Sequence, residues 1–290
     1  MKLFAKYSSA ILLIASLMFI VHAANAQPTG DVLCRGLNPA CYNDWGMRNP
    51  NEDGYKVLIF SKIGPEGAPH ENTPYATEQI TRLLTEHSIS VDVTDNFPSN
   101  PGQLNSFNAV IIFNTQRDVL DSSEKRALRL YMQGGGGFVG IHNVFGTQFN
   151  WEWFRGLLGD TQLYDHAPYM EGTAVVFNAS DTSTKDLPPR FVLKDEWYNV
   201  YPNPLRTGNI RLLLEVDDTT RSSTKGFFGN PGIYAGPHPV SWCHYYDGGR
   251  AWLTTLGHSE EIFRDENYLA HILGGIESAM GRKPFCVADT

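Results

Sequence analysis

The chain has 290 residues, 42% of them hydrophobic and 19% charged, with four cysteines. That is the mixture of a globular protein, too apolar for disorder and too poor in cysteine for a small disulfide scaffold. Twenty-three basic against 31 acidic residues give a formal charge of −8, and no cluster of basic residues stands against it, which argues against nucleic acid as a partner.

Residues 1–26 read as an export signal. Lys2 and Lys6 form a positive start, Ala10 to Val21 an apolar run interrupted by Ser16, and Ala24-Asn25-Ala26 a small-x-small cleavage site. The run is shorter than the roughly 20 residues a spanning helix needs. No later segment is apolar enough to span a bilayer, so the processed chain is expected to be secreted or periplasmic, with no membrane contact. Residues 27–54 form a polar N-terminal arm holding Cys34 and Cys41. In an oxidising compartment these two are the favoured pair, while Cys286 either ties down the tail at 284–290 or stays free with Cys243. No C-x-x-C spacing occurs, so neither a zinc ribbon nor a thioredoxin-like redox site is indicated.

From residue 55 short apolar runs alternate with helical patterns. Lys56 to Phe60 reads as a buried strand, Thr73 to His87 as a helix with Ile80, Leu83 and Leu84 on one face, and Ser90 to Thr94 as a second strand. Ala109 to Phe113 is again continuously apolar. Asp121-Ser122-Ser123-Glu124 opens a helix that runs to Gln133 and stops at Gly134. Gly137 to His142 is a fourth strand ending in a polar residue. The second half is less regular: a helix from Trp151 to Leu158, strands at Thr173 to Asn178 and Arg211 to Val216, and a last helix from Asn267 to Met280. Pro239 to Tyr246 and Arg250 to Leu256 form a hairpin around Asp247-Gly248-Gly249. Buried strands separated by helices predict a mostly parallel sheet covered on both faces, with a C-terminal hairpin, in one α/β domain over residues 55–283.

In such a sheet ligands bind outside the carboxyl ends of the strands, near the point where strand order reverses. The first strand leads to His70-Glu71, the third to Asn114, Gln116 and Arg117, and the fourth to His142-Asn143. The strand after the hairpin turn leads to Gly257-His258-Ser259-Glu260. Asp165-His166-Ala167-Pro168 and Asp195-Glu196-Trp197-Tyr198 can fold over that edge. A lone histidine at a strand end is ordinarily a loop residue bonded to backbone, but three on one edge shift the balance. His87, His244 and His271 fall within or beside predicted elements and read as structural.

Two chemistries suit these residues. In one, His142, His258 and His166 (or His70) hold a divalent cation with an acidic fourth ligand, and the ion polarises a substrate oxygen or activates water. In the other, a histidine is a general base oriented by Glu260 or Glu196. The spacing is dispersed, no H-E-x-x-H pairing occurs, and the residues leave both open.

The block Gly135 to His142 resembles the central signature of the trehalose-utilisation (ThuA-like) family. So do His166 with Pro168, Asp195-Glu196-x-Tyr198, Pro239-Val240-x-Trp242, and the closing stretch Gly249 to His258. The resemblance covers Lys56 to Arg282. It implies a flavodoxin-like fold of the class I glutamine amidotransferase type. Those enzymes carry a nucleophilic cysteine in a G-x-C-x-G elbow, where this chain has His142 and, in place of the second glycine, Val144. Glutamine hydrolysis through a thioester is thereby excluded. What the resemblance implies instead is carbohydrate metabolism, on a disaccharide such as trehalose or on its 3-keto form. The expected catalytic residues are His142, His258, Glu260 and Glu196. The expected substrate contacts are His70, Asn114, Arg117, His166, Trp197, Tyr198 and Trp242. The alternative is a non-catalytic sugar-binding module whose tryptophans stack on pyranose faces.

Overall fold

A computed structural model describes residues 33–45, 49–226 and 236–289; the export signal expected at 1–26 lies outside them. The N-terminal arm contributes a two-residue strand, β1 (Arg35–Gly36), and one helical turn, α1 (Pro50–Asp53). The next elements are β2 (Tyr55–Phe60), α2 (Thr73–Glu86), β3 (Ile89–Thr94), α3 (Pro101–Leu104), β4 (Ala109–Phe113), α4 (Ser122–Gln133) and β5 (Gly137–Ile141). Then come α5 (Glu152–Leu157), β6 (Gln162–His166), β7 (Met170–Val176), β8 (Arg190–Asp195) and β9 (Tyr198–Tyr201). The chain closes with β10 (Arg211–Asp217), β11 (His238–Tyr246), β12 (Gly249–Thr254) and α6 (Glu266–Ala279).

The strand order is β3-β2-β4-β5-β12-β11-β10-β7-β8. The first five run parallel, and their order is that of a flavodoxin-like doubly wound sheet. Apolar runs dictate this, because a strand buried on both faces has no polar side to give water. Alternate side chains of β2 enter opposite layers. Val57 and Ile59 meet Ile80 and Leu84 of α2 and Ile272 and Ile276 of α6. Leu58 and Phe60 belong to the layer containing Leu128, Tyr131 and Met132 of α4. Each such buried aliphatic side chain contributes about 2 kcal/mol. α4 begins where the sequence says it should, with Asp121 and Glu124 in a reciprocal capping box. At Gly275 α6 crosses so near the sheet that a Cβ would sit 2.2 Å from the Trp252 ring.

Beyond β12 the sheet turns antiparallel through β11, β10, β7 and β8. β6 and β9 form a separate antiparallel ribbon. The sequence reading misses β6, β8 and β9, which are short and partly exposed and so lack an apolar run. The favoured Cys34–Cys41 bond is present, and of the two alternatives left for Cys286 the structure has the tied tail, bonded to Cys243 of β11. Among the described residues no helix is long and apolar enough to cross a membrane.

Candidate functional site

Four strand ends build the site. After β5 the chain turns sharply, and His142 takes a left-handed backbone conformation with φ 51°. That region is strained for a residue with a Cβ and persists where surrounding structure enforces it. The enforcement is visible: His142 is fully buried, and its Nδ1 lies 2.8 Å from the Thr255 carbonyl just past β12. A carbonyl only accepts, so Nδ1 carries the proton and Nε2 keeps a lone pair facing Tyr198. The Tyr198 hydroxyl donates to Nε2 at 3.1 Å. Gly257 passes alongside with φ 135°, where an added Cβ would lie 3.1 Å from that of His142.

Glu196 sits in the turn between β8 and β9 and is the hub of the cluster. Its Oε2 is 3.0 Å from His258 Nδ1 and 4.0 Å from His142 Nε2, and its Oε1 is 3.6 Å from His166 Nδ1. The His70 ring, delivered by the loop after β2, lies 4.9 Å from that of His142 and 5.6 Å from that of His258. Asp195, at the end of β8, points the other way, as neighbours on a strand must. Fully buried, its carboxylate accepts the backbone N–H groups of Gly257 at 2.8 Å, His258 at 3.3 Å and Glu196 at 2.7 Å. It thereby fixes the backbone of both His258 and Glu196. Asn72 donates to the Gly257 carbonyl at 2.9 Å and is held in turn by Asn114.

Burial sets the charge of each group. It lowers His70 to about 4, with His258 adding to the effect. Burial and the neighbouring His70 lower His142 well below the ordinary histidine value. Both are therefore neutral at pH 7. Burial acts to raise Glu196, but His258 and His166 beside it hold its carboxyl below the usual range. Burial acts to lower His258, and Glu196 outweighs it, so His258 is raised. Asp195 is pushed by burial up to about 7.

His70, His166, Glu196, Tyr198 and His258 line a cleft of about 620 Å³ whose walls include Gln116, Asn143, Leu163 and Ser259, with His142 fully buried behind them; the size is common for small-molecule sites. Asn143 went unassigned in the sequence reading. Its amide lines this cleft, and neither of its polar atoms has a partner among the described residues. The signal available was its position directly after His142.

The structure thus brings together His70, His142, His166, Glu196, Tyr198 and His258. It separates the rest. Glu260 reaches the rim, but its carboxylate engages Arg264 at 2.8 Å, so the carboxylate beside His258 is Glu196. Trp197 is buried with its indole donating to the Met170 carbonyl, and Trp242 likewise to that of Leu158. Neither can meet a sugar. Asn114 is buried and braces Asn72 and Thr73. Arg117 lies outside the cleft lining, its backbone N–H bonded to the Gly146 carbonyl. The donor atoms close enough to share one ion are those of His70, His142, Glu196 and His258; the expected cation set, with His166, gives that place to His70.

The trehalose-utilisation family model, ThuA, matches residues 56–279. The chain belongs to the ThuA family. Among solved structures, a ThuA-like protein from Bacteroides uniformis is 23% identical, covering 79% of this chain and 93% of its own, with a TM-score of 0.66. One from Parabacteroides merdae is 18% identical over 79% of this chain and 91% of its own, with a TM-score of 0.61. A β-galactosidase from Rahnella shares the fold at a TM-score of 0.51 and 14% identity, across 80% of this chain but 32% of that one. No curated protein matches. In this ThuA chain the glycine-rich block Gly135 to His142 contains β5 and ends in the buried, strained His142.

Proposed function

We propose that this ThuA protein is an exported carbohydrate-active enzyme, transforming a disaccharide or 3-keto-glycoside by histidine- or metal-assisted cleavage or isomerisation. One observation carries the reading: three imidazoles and the Glu196 carboxylate cluster together, and His70, His258 and Glu196 of that cluster line a cleft sized for a small ligand. Family membership supports the substrate class. Two disulfides favour an oxidising compartment.

A ketone at C3 of a sugar acidifies the C2–H bond. His166 lines the cleft outside the tight cluster and is the base that takes that proton. The electron pair shifts toward C1, the C1–O bond breaks, and the departing oxygen takes a proton from the Tyr198 or cleft-side imidazole network. The products are an unsaturated keto-sugar and a free alcohol. The His258 imidazole, whose protonated form Glu196 favours, donates to the enolate oxygen, and a divalent ion held by His70, His142, His258 and Glu196 would add positive charge there. The unpartnered Asn143 amide offers two donors and an acceptor to sugar hydroxyls. Ordinary glycoside hydrolysis needs two carboxylates flanking the bond, and Asp195 points away from the cleft into backbone N–H groups.

The test incubates purified protein with a 3-keto-disaccharide and follows loss of substrate by chromatography. The wild type consumes it, and Glu196→Gln slows turnover about 100-fold. Sugar recovered intact after long incubation with the wild type contradicts an enzyme and favours a binding module. That second reading has less behind it, since Trp151 and Trp153 stack on one another and Trp197 and Trp242 are in the core.

A further inference from the structure

We propose that His70, His142, His258 and Glu196 together form a binding site for one divalent transition-metal ion of the zinc class, on the floor of the cleft. The proposal rests on the carbohydrate reading only for what the ion acts upon; the site itself stands on donor geometry.

Ligand atoms from all four residues lie within 4.8 Å of one another. Donors at about 2.1 Å from zinc in a tetrahedron sit about 3.4 Å apart, so the widest pair needs a contraction of up to about 1.4 Å. The structure shows where that movement is available. His142 is fixed by burial and by its Thr255 bond, whereas His70, Glu196 and His258 are partly exposed side chains in loops and turns. One rigid anchor and three adjustable ligands can close on an ion by side-chain rotation alone.

The donor chemistry agrees. Three imidazoles and one carboxylate are the mixed nitrogen and oxygen set that suits zinc and its neighbours, and the carboxylate supplies the one negative charge. Among the described residues His70 Nδ1 is buried without a hydrogen-bond partner, a cost in an interior that an ion would remove. His258 Nδ1 has Glu196 Oε2 at 3.0 Å but off the line of a directed hydrogen bond.

The surroundings are those a metal site requires. A backbone carbonyl holds His142 through Nδ1, which fixes the tautomer and aims Nε2 inward. Asp195 pins the backbone of Glu196 and His258 through their N–H groups, and Asn72 pins Gly257 through its carbonyl. Such outer partners orient ligands and are needed for tight binding. Four protein donors fill a tetrahedron, so a substrate oxygen from the adjoining cleft would enter as a fifth ligand, an expansion zinc accepts. His166, with its Nδ1 3.6 Å from Glu196 Oε1 and 3.0 Å from the Ala167 carbonyl, stays outside the set.

The experiment is calorimetric titration of chelator-treated full-length protein with zinc chloride, repeated with cobalt chloride and followed by visible absorption. The wild type takes up one equivalent of zinc, and cobalt gives the intense absorption of a four- or five-coordinate ion. His70→Ala, His258→Ala and Glu196→Gln each weaken zinc binding about 100-fold, with circular dichroism showing each to be folded. His166→Ala binds as the wild type does. Absence of stoichiometric binding overturns the proposal, as does a loss in His166→Ala equal to that in His258→Ala. Zinc uptake without sugar turnover leaves the ion site standing and removes the carbohydrate reading; turnover by protein that binds no metal does the reverse.

Discussion

His142 combines three properties that rarely coincide by chance: full burial, positive φ and a place among the clustered imidazoles and carboxylate behind the cleft. Strain of this kind costs on the order of 1–3 kcal/mol and collects at functional sites. Asparagine tolerates the left-handed region better than other side chains with a Cβ. His142→Asn is therefore expected to fold, losing about 2 kcal/mol for the shortened buried side chain. Turnover of the keto-sugar falls about 100-fold, because the Nε2 position is vacated. Urea unfolding beside a turnover assay checks both, and a variant as active as the wild type denies His142 its role. His142 was legible in the sequence as a polar residue closing an apolar strand. Glu196 was legible only as one of two acids that could orient a histidine. Its central place depends on a turn between β8 and β9, neither of which has an apolar run. Trp242 was misjudged for a related reason. All nine residues of β11 are buried, so nothing in its sequence separates the face toward the core from a face toward ligand.

At the level of elements, α6 and β11 each hide a histidine the site does not use. His271 is fully buried, with Nδ1 2.9 Å from the Ser183 carbonyl, and burial lowers it to about 4. His244 in β11 is lowered by burial to about 4 as well. Each therefore binds its proton more weakly in the folded chain than in the unfolded one, whose value is about 6.5. The stability tied to this difference is present above pH 6.5 and is lost as pH falls toward 4, to the extent of about 3 kcal/mol for each histidine. Urea midpoints measured between pH 7 and 4.5 should fall steeply. His271→Gln, which cannot take up the proton, should show a shallower fall from a lower starting value. An unchanged slope contradicts a neutral, buried His271. The strands and helices that could be read from sequence are those with two-sided burial or explicit caps, such as β4 and α4. Strand β8 at the sheet edge alternates in burial but not in polarity, because Val192 lies on its exposed side and Asp195 on its buried side.

Over the whole molecule, the five parallel strands carry the site, and the end of β8 with the β6–β9 ribbon supplies its far wall through Glu196 and Tyr198. The doubly wound half follows from apolar periodicity and strand spacing. The antiparallel extension does not, because pairing between distant edge strands leaves no local signature. Its first strand, β11, is tied to the C-terminal tail by the Cys243–Cys286 bond, which closes a loop of 43 residues. A loop of that size stabilises by about 4 kcal/mol through the unfolded state. Cys286→Ser should lower unfolding stability by about that amount under oxidising conditions, and under strong reductant the difference from the wild type should vanish. A variant as stable as the wild type in oxidising buffer contradicts the bond.

The most direct test is a crystal structure of the protein soaked with zinc, with anomalous scattering used to locate the ion. The account predicts one strong peak bonded to His70, His142, His258 and Glu196, with its open side toward Asn143 and His166. Zinc found only on the outer surface, with those four side chains facing apart, would contradict it.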